Sequence, residues 1–152
     1  VPLYQQFELL KKNWKAVIAG IVSGVLSSIL SILAFALLFH FDHASYATFL
    51  PKSITTAIGI GVSEELGGYV AVTVVVIIIT GVIGNIFAEK FLKLLRITEP
   101  VAKGIAIGSS SHAIGTTKAM EMGAVEGAMS SLSIVVSGIL TVVAASLFSG
   151  LI

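Results

Sequence analysis

The chain has 152 residues, of which 56% are hydrophobic and 11% charged, and its formal net charge is +1. A soluble domain carries about 25% charged residues, and a short soluble chain keeps too much surface in water to hide this much apolar area. The composition therefore excludes a soluble domain and predicts an integral membrane protein. The small net charge and the lack of a basic patch interleaved with aromatics argue against a nucleic-acid-binding protein. The absence of cysteine excludes disulfides and thiolate chemistry.

The N-terminal residues 1–15 are polar and basic, and they contain the acidic residue Glu8. A signal peptide does not begin with so long a polar stretch or with an acidic residue in it. Because the first residue is Val1 rather than methionine, we expect a further N-terminal segment to precede this chain.

Three stretches without a charged residue follow, at residues 16–39, 70–88 and 129–152. A helix needs about 20 apolar residues to cross the hydrocarbon core of a bilayer. The sequence therefore predicts three membrane spans within one transmembrane domain that covers residues 1–152.

Small residues recur every four positions in each predicted span, which places them on one face of the helix. Such residues let helix backbones approach closely in lipid, so the pattern predicts a helical bundle. The residues are Ala16, Gly20, Gly24 and Ser28 in the first span, Thr80, Gly84 and Ala88 in the second, and Ser133, Ser137, Thr141 and Ala145 in the third.

Basic residues set the predicted orientation. Lysines precede the first span, and lysines and an arginine follow the second, whereas residues 40–43 contain no lysine or arginine. By the positive-inside rule, residues 1–15 and 89–103 face the cytoplasm.

Two segments, at residues 51–68 and 104–127, mix apolar residues with Gly, Ser and Thr, and each precedes an uninterrupted apolar span. Paired broken helices in the two halves of a chain are typical of transporter binding sites. We therefore predict interrupted helices, either re-entrant or broken, arranged as an inverted repeat. Full crossing of the membrane by both segments stays open as the alternative.

The second of these segments carries a cluster of polar side chains, and we interpret it as a binding site for a small carboxylate. Glycine and a half-helix start would offer N–H groups to an anion, and the hydroxyls would bind it without adding charge. Ionisable groups at membrane depth are usually functional, although a packing surface with a satisfied histidine is the alternative. The residues are Ser109, Ser110, Ser111, His112, Gly115 and Thr116.

The first interrupted segment offers Lys52, Thr55 and Thr56 for a carboxylate. His112, Glu64 and Glu121 are candidates for coupling to a proton or cation. A Lys118–Glu121 pair at helical spacing is the simpler alternative for Glu121, and a solvated loop is the alternative for Glu64. We expect no metal site and no cofactor.

The motifs in these two segments resemble the LrgB/CidB family over essentially the whole chain. The family pattern S-H-x-x-G-T-x-x-A-x-E-x-G-x-x-E-G-x-x-S-S falls on Ser111, His112, Gly115, Thr116, Ala119, Glu121, Gly123, Glu126, Gly127, Ser130 and Ser131. A second family block, P-K-S-V-T-T followed by S-E-x-x-G-G, falls on Pro51 to Thr56, Ser63, Glu64, Gly67 and Gly68. Ala57 departs from the family, in which many members have proline there. We assign structural roles to Gly67, Gly68, Gly108, Gly123 and Gly127.

The resemblance implies more than the residues do. Members are described as antiholin-like or holin-like proteins that affect murein hydrolase activity and lysis together with a small LrgA/CidA-type membrane partner. Plant relatives are similar to plastidic glycolate/glycerate translocators, and bacterial relatives are linked to pyruvate transport.

From the residues and the resemblance together, we predict a multi-pass protein of the bacterial cell membrane that transports small monocarboxylates such as pyruvate, glycolate or glycerate. The alternative is a holin-like regulator of murein hydrolases that works through assembly. We expect a homo-oligomer and no enzymatic activity.

Overall fold

The computed structural model of the protein describes residues 6–152, and every regular element in this range is an α-helix. Residues 1–5 of the predicted polar N-terminal stretch lie outside the described part. The all-helical fold class is confirmed. In chain order the helices are α1 (Phe7–Phe39), α2 (His43–Phe49), α3 (Thr56–Glu65), α4 (Val70–Leu94), α5 (Pro100–Met122) and α6 (Ala124–Ser149).

Three of these helices are long and apolar enough to cross a membrane. Helices α1, α4 and α6 contain 33, 25 and 26 residues, and about 20 residues suffice to span the hydrocarbon core. They correspond to the three predicted spans. The chain is therefore a multi-pass membrane protein.

Helix α6 places small residues inside and large apolar residues outside. The inner face is at most 5% exposed and consists of Ser133, Ser137, Thr141 and Ala145. The outer face is 58–74% exposed and consists of Val135, Ile139, Val143 and Leu147. Water would favour the opposite arrangement. Lipid favours this one, because branched apolar side chains can face the acyl chains while small residues bring helices together.

Helix α5 reverses direction at His112, whose backbone angles are φ 43° and ψ −140°. The residues on either side of it both reach Ser130: Thr116 Oγ1 lies 2.7 Å from Ser130 Oγ, and a Cβ atom at Gly108 would lie 2.8 Å from Ser130 Cα. A straight helix would separate Gly108 and Thr116 by about 12 Å. Helix α5 is therefore a helical hairpin whose tip is His112.

A second hairpin is formed by α2, the turn at residues 50–55, and α3. His43 Nε2 lies 3.0 Å from the carbonyl oxygen of Leu66, so the two ends of this hairpin meet. Asp42 begins it by accepting a hydrogen bond from the N–H of Ser45, which holds the pKa of Asp42 below its usual range. The 10 residues of α3 rise about 15 Å, which is too short to cross a bilayer.

Gly67 and Gly68 let the second hairpin close. Gly67 has a φ of 77°, a left-handed conformation that glycine adopts without strain. A Cβ atom at Gly68 would lie 2.8 Å from the backbone nitrogen of Thr48, so only glycine fits where the returning chain passes α2.

The two hairpins approach from opposite ends of α6. The Tyr46 hydroxyl of α2 donates to the carbonyl oxygen of Phe148 at the end of α6, whereas Gly104 of α5 contacts Glu126 at its start. Their placement within lipid and their relation as an inverted repeat stay predictions.

The close contact between α5 and α6 gives a test of this packing. We expect Gly108→Ala to lower the free energy of unfolding by about 1–3 kcal/mol, because the added methyl group would overlap the backbone of Ser130. Gly61→Ala is the matched control, since a Cβ atom there meets nothing within 4 Å. Thermal unfolding in detergent measures both variants, and equal midpoints would contradict the packing.

Candidate functional site

A cleft of about 970 Å³ lies between α1 and α4, with the first arm of the α5 hairpin as its floor. Its walls include the small-residue stripes of α1 and α4. No larger residue fits at Gly24 or Gly84, because the first arm of α5 lies against both. A Cβ atom at Gly24 would lie 2.7 Å from Ser109 Oγ, and one at Gly84 would overlap Ser111. The small residues therefore let the α5 hairpin pack between α1 and α4, and the cleft is the space that these three elements enclose.

One cation projects into this cleft from the tip of the α2–α3 hairpin. Lys52 Nζ lies 3.0 Å from Ser28 Oγ and 3.0 Å from Ser53 Oγ, and these two hydroxyl oxygens are 3.0 Å apart. The ammonium carries three donors. Among the ion pairs within residues 6–152, none involves Lys52. The charge is thus held by hydroxyls and is not neutralised by a carboxylate of the described chain.

The position of Lys52 in depth follows from its partner. Ser28 lies near the middle of the uncharged stretch 16–39, so the ammonium sits near the centre of the first span. A lysine at that depth costs about 2.5–3.5 kcal/mol on insertion scales, and such residues usually belong to a substrate or ion pathway.

Three predicted ligands, Ser109, Ser110 and Ser111, line the same cleft. The hydroxyls of Ser109 and Ser110 donate to carbonyl oxygens one turn earlier, at 2.8 and 2.6 Å, and Ser110 Oγ lies 3.1 Å from Ser111 Oγ. A hydroxyl can rotate to donate to a ligand instead.

The tips of the two hairpins lie close to each other along α1. Ser109 contacts α1 at Gly24, and Lys52 contacts it at Ser28, one helical turn or about 6 Å further on. The structure therefore places the serines of one tip and the ammonium of the other at neighbouring levels of the same cleft.

His112 lies outside the set of described residues that line the cleft. Its ring packs against α4, where His112 Nε2 lies 2.9 Å from the carbonyl oxygen of Ile77, and a Cβ atom at Gly81 would lie 2.6 Å from the ring. The side chain is 2% exposed. In this structure the histidine fastens the tip of the α5 hairpin to α4.

Two neighbours of His112 also make packing contacts. The Thr116 hydroxyl donates to the carbonyl oxygen of His112 at 2.8 Å, and it lies 2.7 Å from Ser130 Oγ. Gly115 faces Ser111 where the two arms of the hairpin meet. Like His112, both lie outside the described lining of the cleft.

The remaining predicted residues lie apart from the cleft lining. Thr55 and Thr56 are half-buried at the start of α3, just after the lysine-bearing tip, and Glu64 is exposed near the other end of α3. Gly123 separates α5 from α6, and a Cβ atom at Gly127 would lie 2.9 Å from Met120 Cγ where these helices part.

Glu121 forms the predicted pair with Lys118, at 3.1 Å, near the end of α5. Lys118 also reaches Glu89 of α4, at 2.8 Å, which adds a link that the sequence did not indicate. No short-range pattern could have revealed this link, because the two residues are brought together by the reversal at His112.

Ser28 and Ser53 are the functional candidates that sequence reasoning missed. Ser28 belongs to a small-residue stripe and was therefore interpreted as packing. Its signal was a hydroxyl in the middle of a span, and a partner for it became visible only when the α2–α3 hairpin placed Ser53 beside it.

The contact between His112 and α4 can be tested by substitution. We expect His112→Ala to lower the free energy of unfolding by about 1–3 kcal/mol, because the buried carbonyl oxygen of Ile77 loses the donor that the His112 ring supplies. His112→Gln should retain much of this stability, since an amide nitrogen can reach the carbonyl oxygen of Ile77 without titrating. Thermal unfolding in detergent distinguishes the variants, and an unchanged midpoint for His112→Ala would contradict a fastening role.

Comparison with known proteins identifies the family of this chain. No solved structure matches this chain. A sequence model of the LrgB-like family matches residues 1–151, which is essentially the entire chain. The chain belongs to the LrgB-like family.

Proposed function

We propose that the protein transports small monocarboxylates through the cleft between α1 and α4. The observation that carries this proposal is the Lys52 ammonium, which projects into the cleft near the middle of a membrane span and has serine hydroxyls as its partners. Such a charge is costly to place at that depth, and an anionic substrate would neutralise it.

The chemistry of the cleft favours a particular class of anion. One ammonium balances one carboxylate, which selects monocarboxylates over dicarboxylates. The hydroxyls of Ser109, Ser110 and Ser111 can donate to a second carboxylate oxygen or pair with a hydroxyl or keto group on the next carbon. Pyruvate, glycolate and glycerate all have this pattern of one charge beside one polar oxygen.

Family membership is consistent with this activity and equally with an antiholin-like role. A regulator that acts by assembly would depend on its packing faces, and an uncompensated ammonium in a cleft would give it no advantage. An LrgA/CidA-type partner and a homo-oligomer stay predictions. Coupling of transport to a proton or cation through His112, Glu64 or Glu121 also stays a prediction. For the histidine, uptake by the His112→Gln variant tests it, because glutamine does not titrate.

Removal of the ammonium is the central test. We expect Lys52→Gln to weaken binding of pyruvate or glycolate by about tenfold or more, because a hydrogen bond to a charged group contributes about 1.5–3 kcal/mol and 1.4 kcal/mol corresponds to tenfold. Lys12→Gln is the matched control, since it removes the same charge from an exposed position at the start of α1. Uptake of labelled acids into liposomes measures the effect.

Each outcome of this experiment has a distinct meaning. Saturable wild-type uptake that Lys52→Gln retains in full would overturn the proposed site but leave transport standing. If the wild-type protein takes up neither acid, with or without its LrgA/CidA-type partner, transport itself is overturned. The holin-like regulator would then be the better explanation.

A further inference from the structure

We infer that the turn at residues 51–54 is the outer gate of the cleft, and that anion binding at Lys52 loosens it. This inference rests on the proposed function and specifies how the same site opens. It depends on where the cleft ends, on what closes it, and on which contacts hold the closing element.

The cleft extends to the end of the bundle that carries the basic residues. Its lining there includes Asn13, Leu95 and Glu99, which lie in or beside the stretches assigned to the cytoplasm by the positive-inside rule. By that rule, this end of the cleft lies on the cytoplasmic side.

The other end of the cleft terminates at the α2–α3 hairpin. Along α1, the last lining residue is Ser28, and the lining from the hairpin consists of Lys52 and Ser53. Behind them, Leu50 and Ile54 are each 1% exposed, so the turn is packed into the bundle rather than lying loosely over it. The hairpin tip separates the cleft from the outer end of the bundle.

Two polar contacts hold this tip to α1, one from the Ser53 hydroxyl and one from the Lys52 ammonium, and both end on Ser28 Oγ. The Ser28 and Ser53 hydroxyls are 3.0 Å apart, and the Lys52 ammonium donates to both. The Lys52 ammonium uses two of its three donors on these hydroxyls, so the first oxygen of a carboxylate can take the third donor. The second oxygen then competes with Ser28 for another donor, and an ionised acceptor forms the stronger bond. Substrate binding therefore replaces a contact between the tip and α1 with a contact between the tip and the substrate.

The hairpin has features that suit a moving element. It begins and ends at the outer side, where His43 meets Leu66, and Gly67 with its left-handed backbone connects it to α4. A ligand shifts a conformational equilibrium by the difference in its affinity for the two states. The substrate would bind more tightly to an open state in which Lys52 holds the carboxylate and has released Ser28, and it would therefore shift the equilibrium toward that state.

A disulfide across the gate tests the inference directly, because the chain contains no native cysteine. We expect the uptake of labelled pyruvate by Ser28→Cys/Ser53→Cys, compared with this variant's own rate in the reduced form, to fall to background on oxidation and to return to that rate on reduction. The hydroxyl oxygens are 3.0 Å apart, which suits a cross-link after a small adjustment.

The control pair is Met120→Cys/Gly127→Cys, which joins α5 to α6 away from the gate; a Cβ atom at Gly127 would lie 3.5 Å from Met120 Cβ. Its uptake should be the same before and after oxidation. Mass spectrometry shows whether the gate pair is fully cross-linked. If it is, and the variant still transports as fast as its reduced form, the gate is overturned while transport stands. Absence of uptake by the wild-type protein would instead overturn the proposed function.

A second measurement covers a gate variant that is inactive even when reduced. In Ser53→Cys, a membrane-impermeant maleimide applied from outside should react several times faster when pyruvate is present, because the tip then leaves α1. Pyruvate-free buffer with chloride at the same ionic strength is the reference. Equal labelling rates with and without pyruvate would overturn the inference.

Discussion

Contact between helix backbones at small residues is the constraint on which the rest of the structure depends. Lipid gives no hydrophobic gain when two apolar helices meet, so association relies on close packing. In this protein Gly104 and Gly108 seat the first arm of α5 against α6, while Gly24 and Gly84 admit its serines between α1 and α4. Without these contacts the α5 hairpin could not enter the bundle, and the cleft would have no floor.

That packing also explains how charged and polar groups are enclosed level with the middle of the long apolar helices. Irregular backbone is tolerated there only where protein or a wet cavity surrounds it. His112, in a left-handed conformation, is enclosed by α4, and Lys52 lies in the cleft with two hydroxyl partners. Each hairpin tip thus obtains from neighbouring helices the hydrogen-bond partners that lipid cannot offer.

The spans and the small-residue stripes were predictable, because periodicity along one helix is a local property of the sequence. The polar segments were also identifiable, since Gly, Ser and Thr interrupt apolar runs there. For His112, the sequence offered both a ligand and a satisfied histidine in a packing surface. The partner that the ring meets, the carbonyl oxygen of Ile77, was not predictable, because it depends on the reversal of α5. The Ser28–Ser53 pair and the Glu89–Lys118 link likewise depend on which segments fold back, which no local pattern specifies.

Gly24 and Gly84 serve two purposes at once, and this limits how such a protein can diversify. Each is both a wall of the cleft and the seat of a serine on the α5 hairpin, so a larger side chain at either position would displace the floor as well as narrow the passage. If the cleft transports monocarboxylates as proposed, a change toward bulkier or smaller acids would therefore act on wall residues that do not also seat a serine. Ile83 and Phe91 line the cleft from α4 and are exposed, so substitutions there would change the shape of the cleft while the bundle stays intact.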